Sequence, residues 1–215
     1  MRALPLLLLL LTAVVPAATA SSDPLESWHT FELPFLNFGS RVTSIVHTQF
    51  RDRSQFSQIH LSRFGPIFRV RVSPRVNLIA GYWLTEQRQV EVNRWDNTHR
   101  SFAGAETFIP LGRGQFQGRG LFEHFFGGPR PPDYRTRWQG IYRRAVGRGL
   151  VAGLGTEAFT DHAGFLAHRL ITSVLFPVHP RWVVEAGYMF DPRRVDAGGG
   201  RHILTTPLGL AETAC

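Results

Sequence analysis

The sequence contains no lysine, and its one cysteine, Cys215, is the last residue. All 24 basic side chains are therefore arginine, and no disulfide can form within the chain. Acidic residues are scarcer, at 16, so the formal charge is +8. Beyond the N-terminus no apolar run approaches the roughly 20 residues a membrane-spanning helix needs, which excludes a helical membrane bundle. Helical periodicity is also scarce. What is abundant is aromatic and breaker content: 17 Phe, 21 Gly and 14 Pro in a chain that is 43% apolar. That apolar fraction excludes a disordered chain, and 215 residues suit a single domain.

Residues 1–20 read as a signal peptide. Arg2 is a basic n-region, residues 3–18 are an apolar stretch, and Ala18-Thr19-Ala20 is the small-x-small pattern of a cleavage site. Cutting before Ser21 leaves 195 residues with a charge of +7. Residues 21–40 read as an N-terminal arm or first strand, 41–210 as the body of the fold, and 211–215 as a tail.

From Arg41 onward, apolar and polar residues alternate with a period of two, punctuated by Gly and Pro every ten to fifteen residues. Val42, Ser44, Val46, Thr48 and Phe50 form one face opposite Thr43, His47, Gln49 and Arg51. The same alternation recurs around 68–72, 76–85, 98–109, 115–126, 134–143, 150–158, 170–176, 182–190 and 201–210, with Pro207 weakening the last. Short connections (73–75, 110–114, 147–149, 177–181) alternate with longer polar ones (87–96, 127–133, 160–166, 191–200). This pattern predicts an all-β, up-and-down antiparallel transmembrane β-barrel. The count is ten strands, or twelve if the leftover segment 27–33 joins the barrel. Ten strands would put both ends of the barrel on the short-turn side.

The faces imply an orientation. Tyr82, Phe126, Tyr134, Tyr142, Trp182, Tyr188 and Phe190 lie toward strand ends on the apolar face, as an interfacial aromatic girdle does. Arg119, Glu123, Arg135, Arg137, Arg143, Glu157, Arg169 and Glu185 share the polar face, and Glu106 is placed to join them. In a narrow lumen these charges would pair and fill the interior; an anion-selecting pore or a site for a small anion or acidic ligand is the functional alternative. A soluble periplasmic, lipocalin-like barrel around an apolar ligand is the alternative architecture, with its faces reversed.

The ordered set Ala80-Gly81-Tyr82, His99-Arg100, Arg119 with Glu123, Arg135 and Arg137, Glu157, Arg169, Gly187-Tyr188 and Arg201-His202 resembles the bacterial family of domain of unknown function 2490. The similarity runs from about Trp28 to Leu210. It implies an outer-membrane barrel of a Gram-negative bacterium and supplies no activity. The partners implied are outer-membrane lipid, lipopolysaccharide and the barrel-assembly machinery. The chain departs from such barrels at Leu210–Cys215, where they usually end in an aromatic residue.

Other chemistry has little support. His99 and Ser101 would share one strand face near Glu106, but no nucleophile elbow accompanies them, so the chain reads as non-enzymatic with an outer-membrane hydrolase as the enzymatic alternative. The nine histidines (His29, His47, His60, His99, His124, His162, His168, His179, His202) lack metal-ligand spacing, so neither a metal nor another cofactor is expected. The arginines alternate with apolar residues rather than lining a basic helix, which argues against nucleic acid.

Overall fold

The computed structural model describes residues 25–53, 58–89, 93–128, 133–147, 149–162, 164–179, 182–192 and 201–210. Eleven strands follow one another: β1 (Leu25–Phe38), β2 (Val42–Arg53), β3 (Gln58–Ser73), β4 (Val76–Gln89), β5 (Arg94–Leu111), β6 (Gly114–Phe126), β7 (Asp133–Gly147), β8 (Leu150–Asp161), β9 (Gly164–His179), β10 (Trp182–Asp191) and β11 (Arg201–Leu210). Each pairs with the next, and β1 pairs with β11 to close the barrel. The signal-peptide segment 1–20 and the tail 211–215 lie outside the described residues.

The period-two pattern carries directly into burial. On β6, Leu121 and Glu123 point inward at 5% and 0% exposure, while Phe122 between them is 52% exposed on the outside. A strand's side chains alternate faces, so an apolar residue next to a charged one is sent the opposite way. The strands run further than the connections suggest: β4 continues to Gln89, and β8 and β9 extend into 160–166. At the short turns the chain reverses within a few residues. Between β5 and β6 the turn is Gly112-Arg113, and Gly112 has φ 58°, a conformation a two-residue hairpin needs and glycine takes without strain.

Because antiparallel neighbours alternate direction, the connections after β1, β3, β5, β7 and β9 share one rim, here the turn rim. Those after β2, β4, β6, β8 and β10 share the other, the looped rim. The four longer connections thus fall together, opposite the four short turns, as their alternation predicts.

The count is eleven rather than ten. Segment 27–33, left over in the sequence reading, is the heart of β1, which pairs with β2 from Ser27↔Asp52 to Phe38↔Val42. An odd count makes the first and last strands run the same way, so β1 and β11 close in parallel, Leu25↔His202 through Phe31↔Leu208. The barrel therefore begins at the looped rim and ends at the turn rim; the expected sharing of the turn rim by both ends does not hold. Pro207 lies within β11 at this seam, opposite Thr30. On its other side β11 keeps a single register with β10, from Trp182↔Leu210 to Asp191↔Arg201.

Candidate functional site

The barrel interior holds three tiers of side chains. Nearest the looped rim is a ring of charge. Arg53 on β2 meets Glu26 on β1 at 3.4 Å, and Arg201 on β11 bridges Glu26 at 3.4 Å and Asp191 on β10 at 2.8 Å. Arg169 on β9 bridges Asp191 at 2.9 Å and Glu157 on β8 at 3.0 Å, and Arg137 on β7 approaches Glu157 at 2.5 Å. Two residues along β7, Arg135 holds Glu123 on β6, which also takes Arg100 of β5 at 3.1 Å. Arg100 and Arg63 of β3 both lie over the Trp83 ring of β4, at 5.1 and 4.9 Å. Arg63 then donates to Gln49 at 3.1 Å, returning the circuit to β2. All eleven strands contribute.

The acids of the ring are among the most buried groups of the protein: Glu123 and Asp191 are 0% exposed and Glu157 1%. Buried carboxylates are tolerated only when paired and hydrogen-bonded, and here each takes two arginines. Aromatic faces supply further partners. Arg135 and Arg169 each sit 4.6 Å from the centroid of the buried Phe159 ring, and Arg51 sits 3.6 Å from that of Trp28.

Beginning at Trp83 on β4, and two to four residues nearer the turn rim on the other strands, comes an apolar tier. Ile45, Ile67, Ile79, Trp83, Phe102 and Leu121 form one buried cluster; Trp28, Ile171, Met189 and Ile203 form another. Below it is a second polar tier. Arg69 meets Glu106 at 2.7 Å, Asn77 donates to Glu106 at 3.0 Å, and Arg143 bonds Gln117 and approaches Glu185 at 3.6 Å. Arg119 stands opposite Glu106 in the β5–β6 register, and its Nε has no hydrogen-bond partner.

The sequence-predicted lumen residues thus divide between tiers. Glu123, Arg135, Arg137, Glu157 and Arg169 belong to the ring, and Arg119, Arg143, Glu185 and Glu106 to the lower tier. Not assigned to the lumen from the sequence are Glu26, Arg53, Arg63, Arg100, Asp191 and Arg201, of which Arg100 and Arg201 appear there only in the family resemblance. Asp191 and the residues beyond it read as loop, and Glu26 precedes the first recognised alternation. Parity was the available signal: Arg100, Phe102, Gly104 and Glu106 keep one face of β5.

The seven aromatic residues assigned to the girdle all face outward, at two levels. Toward the turn rim, Tyr142 donates from its hydroxyl to the Leu111 carbonyl at 3.3 Å, and Trp182 starts β10. Toward the looped rim lie Tyr82, Phe126, Tyr134, Tyr188 and Phe190. Histidines accompany this upper level. His99 hydrogen-bonds Tyr82 and stacks on Phe126, His124 stacks on Tyr134 at 4.6 Å, and His202 meets the Tyr188 hydroxyl at 2.6 Å. His29 bonds Thr206 at 2.6 Å, and His168 bonds Thr156. His99 and Ser101 do share the outward face, with the His99 ring committed to Tyr82 and Phe126. Among the described residues no three His, Cys, Asp or Glu side chains converge as a metal set.

The profile of the family described as "Protein of unknown function (DUF2490)" matches residues 26–199. The chain belongs to that family. The matched span opens at Glu26, the ring acid on β1, and covers every ring member except Arg201. Among curated proteins the chain matches none.

Proposed function

We propose that the chain is exported, loses residues 1–20, and works as an outer-membrane β-barrel of a Gram-negative bacterium. In this reading its lumen is filled by its own side chains, and its working surfaces are its rims and outward face. It carries no catalysis, and its partners are membrane lipid, lipopolysaccharide and the barrel-assembly machinery.

The observation that carries the reading is the inverted distribution of side chains. Paired arginines and acids are buried, while Phe64, Phe122, Trp138, Leu154, Phe165 and Leu170 stand about half exposed or more on the outside. Water would penalise such a surface at about 25 cal/mol per Å² of apolar area, and contiguous exposed apolar patches mark a site that something apolar covers. Acyl chains do so without a partner protein. Two supports are independent of this: the strands are 10–18 residues long, against the roughly 9–11 a tilted strand needs to span a bilayer, and the aromatics lie at two levels. The soluble lipocalin-like alternative needs an apolar lumen, and this one carries a charged ring.

Fractionation with a heat-modifiability gel tests the proposal. The protein should sediment with outer membranes and migrate faster unboiled than boiled. Recovery in the periplasmic soluble fraction, with mobility unaffected by heat, would overturn it.

A further inference from the structure

We infer that the turn rim is a binding collar for anionic phospholipid headgroups, an inference that rests on the membrane reading above. Five arginines stand exposed there: Arg41 in the β1–β2 turn, Arg71 at the end of β3, Arg75 in the β3–β4 turn, Arg113 in the β5–β6 turn, and Arg144 near the end of β7. Among the described residues none of their guanidinium groups is in an ion pair. Among the described residues the carboxylates of this end are Glu32, Glu106 and Glu185, and each is engaged from inside, by His47, Arg69 and Arg143 respectively. Among the described residues the collar's positive charge therefore meets no compensating carboxylate.

The looped rim is built differently. There Arg94 pairs with Asp96 at 2.9 Å, Arg88 donates to the Asn93 side chain at 2.6 and 3.0 Å, and His162 lies 3.7 Å from Asp133. Arginine alone thus does not distinguish the collar; among the described residues, the lack of ion-pair partners at one rim does.

The collar's surroundings specify the ligand. Within a few residues of its arginines stand Phe38, Val72, Leu111 and Val146, each more than half exposed. Apolar side chains suited to acyl chains thus run up to the turns, and the guanidinium groups begin where they stop. Tyr142, bonded to Leu111, marks the same level. In a bilayer the phosphodiester lies just outside the acyl region, and a planar guanidinium presents paired donors that match its oxygens. A free anion would account for the charge but not for the adjoining apolar rank.

The test uses the full chain refolded into vesicles of equal phosphatidylcholine and phosphatidylglycerol. Flotation is scored first, then the lipids retained by the purified protein are counted by native mass spectrometry. The wild type should retain phosphatidylglycerol preferentially. The R41Q/R71Q/R75Q/R113Q/R144Q variant should lose at least about thirtyfold of that preference, what two arginines near an anionic surface roughly contribute. R88Q/R94Q, altered at the other rim, should keep it. If the fivefold variant does not insert, R75Q/R113Q is read in the same assay and should show a smaller loss. Undiminished preference in the collar variants, or equal loss in R88Q/R94Q, overturns the collar. Displacement of the lipid by inorganic phosphate at matched phosphate concentration also overturns it, in favour of a free anion. Floating without any preference sinks the collar alone, whereas failure of every form to float sinks the membrane reading and the collar with it.

Discussion

Removing the Glu123 carboxylate is the sharpest test of the charged ring. Glu123 is 0% exposed and holds Arg100 at 3.1 Å and Arg135 through two hydrogen bonds, one of 2.8 Å. Glu123→Ala leaves both guanidinium groups inside the barrel without the acid they share. Breaking a buried pair in this way costs about 3–5 kcal/mol, because the surviving charge keeps its desolvation penalty. Both arginines also lie over the Phe125 ring, at 4.7 and 4.9 Å, and that contact survives the substitution. The lower figure, about 3 kcal/mol, is therefore expected, which for a chain of this size lowers the unfolding midpoint by about 6–12 °C. The control is Glu86→Ala, an exposed acid whose hydrogen bond is with Ser62 at 3.3 Å; it should shift stability by less than about 0.5 kcal/mol. The assay is the temperature at which the folded gel band of detergent-refolded protein converts to the unfolded one. Equal midpoints for the two variants would refute the idea that the ring holds the interior together.

Refolded into a planar bilayer, the wild type should pass no steady current, and an anion-selective conductance would refute the filled lumen. Single-tryptophan variants should separate the two faces: brominated acyl chains should quench Trp138, 58% exposed, and leave Trp83, 5% exposed, nearly untouched. Gly104→Val should abolish refolding, because a Cβ there meets the backbone carbonyl of Gly120, whereas Gly118→Ala meets the Thr107 methyl at 3.2 Å and should cost less than about 1 kcal/mol. On intact cells, protease should cut an epitope inserted after His162, on the looped rim, and spare one inserted after Gly112, on the turn rim; the reverse would invert the orientation.

The barrel was legible in the sequence because its signal is local. Alternation assigns a face to each residue of a strand, and the alternating connection lengths assign a rim to each turn. Glu123, Glu157 and Arg169 stand out for the same reason, being charges out of phase with apolar neighbours. The closure was not legible. Strands β2 to β11 each adjoin their chain neighbours, but the partner of β11 lies at the other end of the chain, where Pro34 and the sparse alternation of 25–38 obscure a strand. Parity then turned one unrecognised strand into a misplaced terminus. The ring was half visible because from β5 through β11 to β2 its members alternate in sign across strands, and a register is needed to see that Arg201 reaches both Glu26 and Asp191.

That unreadable seam also explains why the ring is continuous. A parallel closure has slanted hydrogen bonds and is somewhat weaker per residue than the antiparallel ladders elsewhere. Pro207, opposite Thr30, brings no N–H to the ladder here. Side chains tie the seam on both faces. Outside, His29 of β1 bonds Thr206 of β11 at 2.6 Å. Inside, Arg201 joins Glu26 across it, and Trp28 packs in the same buried cluster as Ile203, which is 0% exposed. Sheet closure depends on strand direction, but an inward side chain reaches the lumen whichever way its strand runs. A ring of alternating charge can therefore pass across the parallel joint with its spacing intact. The eleventh strand disturbs the backbone pattern at one place, and the interior bridges that place with the same arginine–carboxylate pairing it uses from β5 to β11.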